Sequence, residues 1–207
     1  MIRGLLAEFG LETPRGLHHA LALSARIVDG EACEVPALAQ RVVASLARQV
    51  AALQTELTAI EKEILAWHRT SEVSQRLATI PGVGIISATA LAASVTDPQQ
   101  FRSGREFAAW LGLTPLQNSS GGKERMGRIS KMGDKYLRRL LVVGMTSLVR
   151  RARVNPNCVH PRAADLLARK PVRLATVAMA NRTSRIAWVV MTRKETYRGP
   201  AAMALAA

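Results

Sequence analysis

The most informative motif of this chain is Leu77-Ala-Thr-Ile-Pro-Gly-Val-Gly-Ile-Ile-Ser-Ala-Thr-Ala-Leu91. An apolar run leads into Pro81-Gly-Val-Gly84, and a run of small and apolar residues follows. This pattern is typical of a helix–hairpin–helix, in which glycines let the turn lie close to a phosphate backbone. The N–H groups at the start of the second helix would then face the anion. Because Pro-Gly-x-Gly also makes ordinary tight turns, DNA contact by Gly82 and Gly84 stays open on this motif alone.

Composition excludes several classes of protein. The chain has 207 residues and is 48% hydrophobic and 21% charged, which is a globular balance and excludes wholesale disorder. Two cysteines, Cys33 and Cys158, exclude a disulfide scaffold and a zinc site built from cysteine. No apolar run reaches the roughly 18 residues of a membrane span, and the first residues lack a signal-peptide pattern. We therefore expect a soluble, cytoplasmic protein.

The positive charge is concentrated in the second part of the chain. Residues 1–70 hold seven Lys or Arg against eight Asp or Glu, whereas residues 71–207 hold 22 against seven. A solvated face usually mixes both signs, so this asymmetry favours a polyanionic partner such as DNA or RNA over mere solubility. Binding should then weaken steeply with salt. The densest basic run comprises Lys123, Arg125, Arg128, Lys131, Lys135, Arg138, Arg139, Arg150, Arg151 and Arg153.

A long helix is predicted over residues 37–69, which contain neither glycine nor proline. Apolar residues recur there at spacings that alternate between four and three, a heptad pattern typical of coiled coils. The pattern leaves two arrangements open: pairing with another helix, in this chain or another protomer, or packing on the helix's own domain. The apolar positions are Ala39, Val43, Leu46, Val50, Leu53, Leu57, Ile60, Ile64 and Trp67.

The remaining sequence predicts a mainly α protein with a helical linker over residues 1–71 and a compact helical domain over 72–207. The helix–hairpin–helix would occupy 75–95, and a loop rich in serine, glycine and charge would be exposed at 116–133. Asp134 suits the N-cap of a helix from Lys135 to about Arg153. Other helices are expected at 102–112, 162–169 and 171–193, and a minor strand at about 113–117. In the first of these helices, Phe107, Trp110 and Leu111 should lie in the core.

Chemistry on a phosphodiester needs metal-binding carboxylates or a covalent nucleophile. The acidic residues and the four histidines of this chain lack the spacing of metal ligands, so we expect no metal site here. Ser119 and Ser120 lie beside Gly121 in the exposed loop, near basic residues that would stabilise charge at phosphorus. The residues alone leave open whether this loop forms a covalent bond or only binds phosphate.

Three blocks of the sequence resemble one family. Leu77–Leu91, Phe101–Pro115 and Ser119–Leu140 are similar, in order and spacing, to the C-terminal domain of insertion-sequence transposases of the 110/116/902 family. The resemblance covers about residues 75–198, including the stretch Arg182–Arg198. Residues 1–70 resemble the helical linker that precedes this domain in the family.

The resemblance implies a DNA transposase, a recombinase guided by a bridge RNA. In the family, an N-terminal RuvC-like domain binds Mg²⁺ through Asp-Glu-Asp-Asp, and a serine of the C-terminal domain attacks DNA. That serine matches Ser120, with Ser119 as the adjacent alternative and Ser130 as a further one. Residues predicted to contact DNA are Gly82, Gly84, Lys123, Arg125, Arg128, Lys131, Arg138 and Arg139.

The sequence departs from the family because it starts at the linker and lacks the four carboxylates of the RuvC-like domain. We therefore expect a truncated copy with no cofactor of its own, Mg²⁺ being needed only at the RuvC-like domain. Through helix 37–69 it would form a homo-oligomer or pair with a full-length transposase. The alternative function is a non-catalytic protein that binds nucleic acid and dimerises with such a transposase. A basic RNA-binding structural protein is the third possibility.

Overall fold

The computed structural model describes residues 2–29, 35–119, 122, 126–155 and 161–198. They form two compact units that divide between Glu63 and Ile64, inside one long helix. The fold is mainly α, as predicted. The first unit contains α1 (Ile2–Ala7), α2 (Leu17–Val28) and most of α3 (Ala37–Thr70). The second contains α4 (Glu72–Ala78), α5 (Ile85–Ser94), a 3-10 helix (Pro98–Gln100), α6 (Gly104–Trp110), β1 (Pro115–Gln117), β2 (Met126–Ile129), α7 (Lys135–Val154), α8 (Pro161–Arg169) and α9 (Val172–Arg193).

Helix α3 has two differently packed parts. Its heptad residue Val43 is fully buried in a small core with residues of α1 and α2, and Leu46 and Val50 pack at the edge of that core. Further along, Leu53 and Leu57 are more than half exposed. The first part of the heptad pattern therefore reflects packing within the unit, whereas pairing of the second part with another helix stays a prediction.

The core of the second unit joins α4, α5, α6, α7 and α9. Phe107 of α6 is fully buried and meets Phe101 edge-on, with the ring centroids 5.1 Å apart. Leu111 is fully buried as well, as the sequence predicted. The prediction for Trp110 was wrong in degree: this ring stacks on Phe107 but is 37% exposed at the margin of the core.

Two glycines bring the turn between α4 and α5 directly against α7. Gly82 has φ +82°, a left-handed conformation that side chains rarely adopt. A Cβ at Gly144 of α7 would overlap the carbonyl oxygen of Gly82. The two backbones are therefore in contact, and this packing is a sufficient structural reason for both glycines.

The segment 116–133 is not an exposed loop throughout. Strands β1 and β2 form an antiparallel hairpin that pairs Pro115 with Ile129 and Gln117 with Met126. Ile129 packs against the core, whereas Arg128 is exposed. The predicted minor strand is confirmed as β1, while β2 lies within the stretch expected to be loop.

Helix α7 begins where the sequence predicted. The Asp134 carboxylate accepts a hydrogen bond of 2.8 Å from the N–H of Leu137 and so caps the helix. Leu137, Leu141 and Met145 are buried along one face of α7. Across the described ranges, no helix combines the length and the apolar character needed to cross a membrane.

Candidate nucleic-acid interface

The start of α5 is an open helix N-terminus. Its N-cap is Gly84, which has no side chain to bond the first N–H groups, and a Cβ built there meets nothing within 4 Å. The adjacent Ile85 and Ile86 are exposed. Free N–H groups at the positive end of a helix suit a phosphate oxygen. Of the two glycines predicted to contact DNA, Gly84 is thus accessible, whereas Gly82 is half-buried and turned towards α7.

The β-hairpin holds both ends of the loop that carries the predicted nucleophile. Ser119 is exposed and follows Gln117, the last residue of β1, by two positions. Met126, the first residue of β2, pairs with Gln117 and follows the loop in sequence. Three predicted site residues lie outside the described residues: Ser120, Lys123 and Arg125. The neighbouring Gly121 lies outside them as well.

The base of this hairpin is fixed to the end of α6. The N–H of Ser130 donates to the carbonyl oxygen of Thr114 at 2.8 Å. The N–H of Lys131 donates to the carbonyl oxygen of Gly112 at 3.1 Å. Lys131 adopts a left-handed φ of +56°. A Cβ at Gly133 would overlap the carbonyl oxygen of Trp110, so the backbones touch. The half-buried Ser130 is therefore a backbone anchor of this corner.

Arg138 has a structural contact that the sequence did not reveal. Its Nη1 donates to the carbonyl of Leu111 at 2.9 Å and to that of Met132 at 3.2 Å. The guanidinium thus ties the start of α7 to the end of α6 and to the β2–α7 connection. DNA contact by Arg138 stays a prediction. Such a contact would use the guanidinium N–H groups other than those of Nη1.

Several other predicted basic residues are free to meet an anion. Arg128, Lys131 and Arg139 are exposed, as is Lys135 at the start of α7. Within the described part of the chain, none of these four has an ion-pair partner. They follow the loop closely in sequence, on the hairpin, its base and the first turns of α7, and this spacing predicts a positive surface around the loop.

No described residues fit the magnesium site that the family resemblance implies. In the ranges that the structure describes, there is no group of three or more His, Cys, Asp or Glu side chains that could hold a metal ion. The magnesium requirement therefore stays a prediction about the RuvC-like domain.

A basic cleft at the end of α9 was missed by sequence reasoning. It has a volume of about 460 Å³ and lies between α9 and the segment 195–198. Its lining includes Arg182, Arg185, Tyr197 and Arg198. Arg182 and Arg185 are three residues apart on one helical face, and this spacing was a usable sequence signal. Their approach to Tyr197 and Arg198 depends on tertiary structure.

Comparison with known proteins identifies the central part of the second unit. A model of the "Transposase IS116/IS110/IS902 family" matches residues 74–159, which include the α4–α5 turn, the hairpin and α7. A "Putative transposase y4pF/y4sB" of Sinorhizobium fredii is 42% identical over 95% of this chain and 51% of its own length. The chain belongs to the IS116/IS110/IS902 transposase family.

Two further relatives also match nearly all of this chain and only part of their own length. A "Probable family 20 transposase" of Pseudomonas aeruginosa is 41% identical over 95% of this chain and 59% of that protein. The "Transposase for insertion sequence element IS1111A" of Coxiella burnetii is 36% identical over 95% of this chain and 54% of that protein. The chain thus spans between half and three fifths of the length of these curated relatives. The cleft residues 182–198 lie beyond the stretch that the family model matches.

Proposed function

We propose that this transposase-family chain supplies the serine-bearing part of a DNA recombinase. The observation that carries the proposal is the β1–β2 hairpin, whose pair Gln117 and Met126 flanks in sequence the stretch that contains Ser120. The base of this hairpin is hydrogen-bonded to Gly112 and Thr114. The exposed residues Arg128, Lys131 and Arg139 follow this stretch in sequence, and none of them has an ion-pair partner among the described residues. A reactive loop needs a rigid support and positive charge for the phosphate, and the bonded hairpin and the exposed cations support this proposal.

The proposed reaction is an exchange of phosphodiester bonds at Ser120. The Ser120 Oγ attacks phosphorus, an Oγ–P bond forms, and the bond from phosphorus to one deoxyribose oxygen breaks. That oxygen leaves as a hydroxyl after taking up a proton, and the serine proton passes to a base or to solvent. A hydroxyl of another strand then attacks the phosphoserine, which rejoins DNA and regenerates the serine. Neighbouring guanidinium groups would stabilise the extra negative charge on the phosphoryl oxygens.

The proposed partners are DNA, a bridge RNA and a second transposase chain. The open N-terminus of α5 supports a contact with the DNA backbone that positions the duplex without reading its sequence. The exposed residues Leu53, Leu57 and Ile60 support pairing through α3, because an apolar heptad stripe is stabilised by a matching helix. A RuvC-like domain and its Mg²⁺ would be contributed by another part of the recombinase.

Replacement of the serine tests the covalent step. A full-length relative whose own matching serine has been changed to alanine supplies the remaining domains, and labelled element-end DNA is the substrate. We expect this chain to form a covalent protein–DNA band on denaturing gels and the Ser120→Ala variant to form none. Ser119→Ala is the matched control and should retain the band. A band that persists in Ser120→Ala and disappears in Ser119→Ala would move the assignment to Ser119.

A non-catalytic role is the second candidate, favoured by the exposed stripe on α3. In that case the chain would bind DNA and associate with the full-length relative, yet neither serine would form a covalent bond. Co-purification with the relative, together with salt-dependent DNA binding and no covalent band, would support this candidate and contradict the first.

A further inference from the structure

We propose that the cleft between α9 and residues 195–198 binds one unstacked nucleotide of a single-stranded nucleic acid. The base would stack on Tyr197, and the phosphates would bond to Arg182, Arg185 and Arg198. No described residue of the hairpin lines this cleft. The proposal rests on the proposed function only in requiring that the protein bind nucleic acid.

The wall of the cleft is held in place by tertiary hydrogen bonds. Lys194 ends α9 with a left-handed φ of +56°, which turns the following residues back along the molecule. The N–H of Tyr197 then donates to the Thr79 hydroxyl at 2.9 Å, and that hydroxyl donates to the carbonyl of Arg76 at 2.6 Å. The half-buried Tyr197 ring also packs against the core. The aromatic residue is therefore fixed before any ligand arrives, which lowers the entropy lost on binding.

The charge of the cleft favours an anion. Arg185 and Arg198 are exposed and Arg182 is half-buried. Among the described residues, none of the three guanidinium groups has an ion-pair or hydrogen-bond partner. Glu195 is the one carboxylate in the lining, so the cleft keeps an excess of two positive charges. Guanidinium groups present paired donors that match the geometry of phosphate oxygens.

The apolar part of the cleft favours a nucleobase over a phosphate alone. Ile186, Val189 and Val190 line it together with Tyr197. A flat apolar surface beside cations is the arrangement on which proteins stack exposed bases. Bases inside a duplex are already stacked and paired, so they are not available to this surface. Single-stranded DNA or RNA is therefore the expected ligand, and the cleft volume of about 460 Å³ lies within the range of small-ligand sites.

Binding of a short fluorescein-labelled oligothymidylate to the whole chain tests the site by fluorescence anisotropy. Tyr197→Ala should weaken binding by about 5- to 150-fold, the effect of losing one stacked base. Tyr197→Leu keeps apolar packing against the core and should still lose most of this affinity, because leucine has no ring face. Arg185→Gln and Arg198→Gln should each lower the slope of log affinity against log salt by about 0.7. The matched control is Arg173→Gln, an exposed arginine elsewhere on α9, which should leave both quantities unchanged.

Parallel probes separate the possible outcomes. A ribonucleotide oligomer and a duplex of the same length show which nucleic acid is preferred, and the effect of Tyr197→Ala should be confined to single strands. An oligomer carrying 5-iodouracil should crosslink to the peptide that contains Tyr197. If cleft variants bind like the Arg173→Gln control while Arg128→Gln weakens binding, the cleft proposal is wrong and nucleic-acid binding at the serine loop survives. If the unaltered chain binds no nucleic acid, both proposals are overturned.

Discussion

The two units of the chain differ in what covers their apolar residues. In the second unit, five helices bury rings and aliphatic side chains around Phe107. In the first, α1 and α2 cover α3 only as far as Val50, and Leu57 further along is exposed. An exposed apolar stripe on a helix stabilises association more than it stabilises the fold. Substitutions in the second unit should therefore change the free energy of unfolding, whereas those on the exposed stripe should change self-association.

The largest effect on stability is expected at Phe107. Phe107→Ala removes a fully buried ring and leaves a cavity beside Phe101, which should lower the free energy of unfolding by about 3–5 kcal/mol. All three tryptophans belong to the second unit, so their fluorescence in urea reports on it. Leu53→Ala lies in the first unit, so circular dichroism in urea, which reports on both units, measures its effect. That exposed site should cost less than about 0.5 kcal/mol. Equal losses at the two sites would contradict the difference between the units.

The next largest effects on stability are expected at two helical glycines, where alanine should act with opposite signs. Alanine is the better helix former by about 1 kcal/mol, so Gly4→Ala in α1, where the added Cβ meets nothing, should raise the melting temperature. Gly144→Ala should instead lower the free energy of unfolding by about 1–3 kcal/mol, because the Cβ would push Gly82 away from α7. Circular dichroism during thermal and urea unfolding measures both changes in stability. Stabilisation by Gly144→Ala would show that the two backbones are not in contact.

The N-cap of α7 is expected to contribute about 1 kcal/mol to the free energy of unfolding. Asp134→Ala removes the acceptor for the N–H of Leu137 and should lower the free energy of unfolding by that amount. Asp134→Asn keeps an acceptor oxygen and serves as the control, so it should lose much less. The same tryptophan fluorescence in urea distinguishes the two variants.

The smallest effect on folding is expected on the exposed stripe. Leu57→Gln and Ile60→Gln should change the free energy of unfolding by less than about 0.5 kcal/mol. Both should weaken self-association in sedimentation equilibrium, whereas Thr58→Gln, an exposed neighbour outside the heptad positions, should not. A chain that remains monomeric at every concentration before any substitution would contradict homo-oligomerisation through α3.

The sequence predicted those elements whose signals are local. The heptad spacing and the absence of glycine and proline indicated α3, and Asp134 marked the start of α7. Strand β2 was missed because glycine and charge dominate Met126–Ile129, and its pairing depends on β1 across the intervening loop. The four residues Met-Gly-Arg-Ile show no alternation of apolar and polar residues, so the sequence offered no strand signal there.

The candidate site was predictable only where one contiguous motif carries it. The loop around Ser120 was predicted from composition and family resemblance, because its residues are neighbours in sequence, and its role stays a prediction. Gly82 was assigned to DNA contact from its motif, yet its conformation and its approach to Gly144 are tertiary facts. The cleft around Tyr197 was not visible either, because Thr79, which holds it, is 118 residues away in the chain.

The continuity of α3 also limits how this chain can change in length. Its 34 residues form a rod about 51 Å long, since each residue advances the helix by about 1.5 Å. One inserted residue between Val50 and Leu53 would rotate the rest of α3 by about 100° about the helix axis, so the buried and exposed parts of the apolar stripe would no longer share a face. A change of seven residues rotates it by only about 20°. Heptads are therefore the natural increments by which this helix can lengthen or shorten.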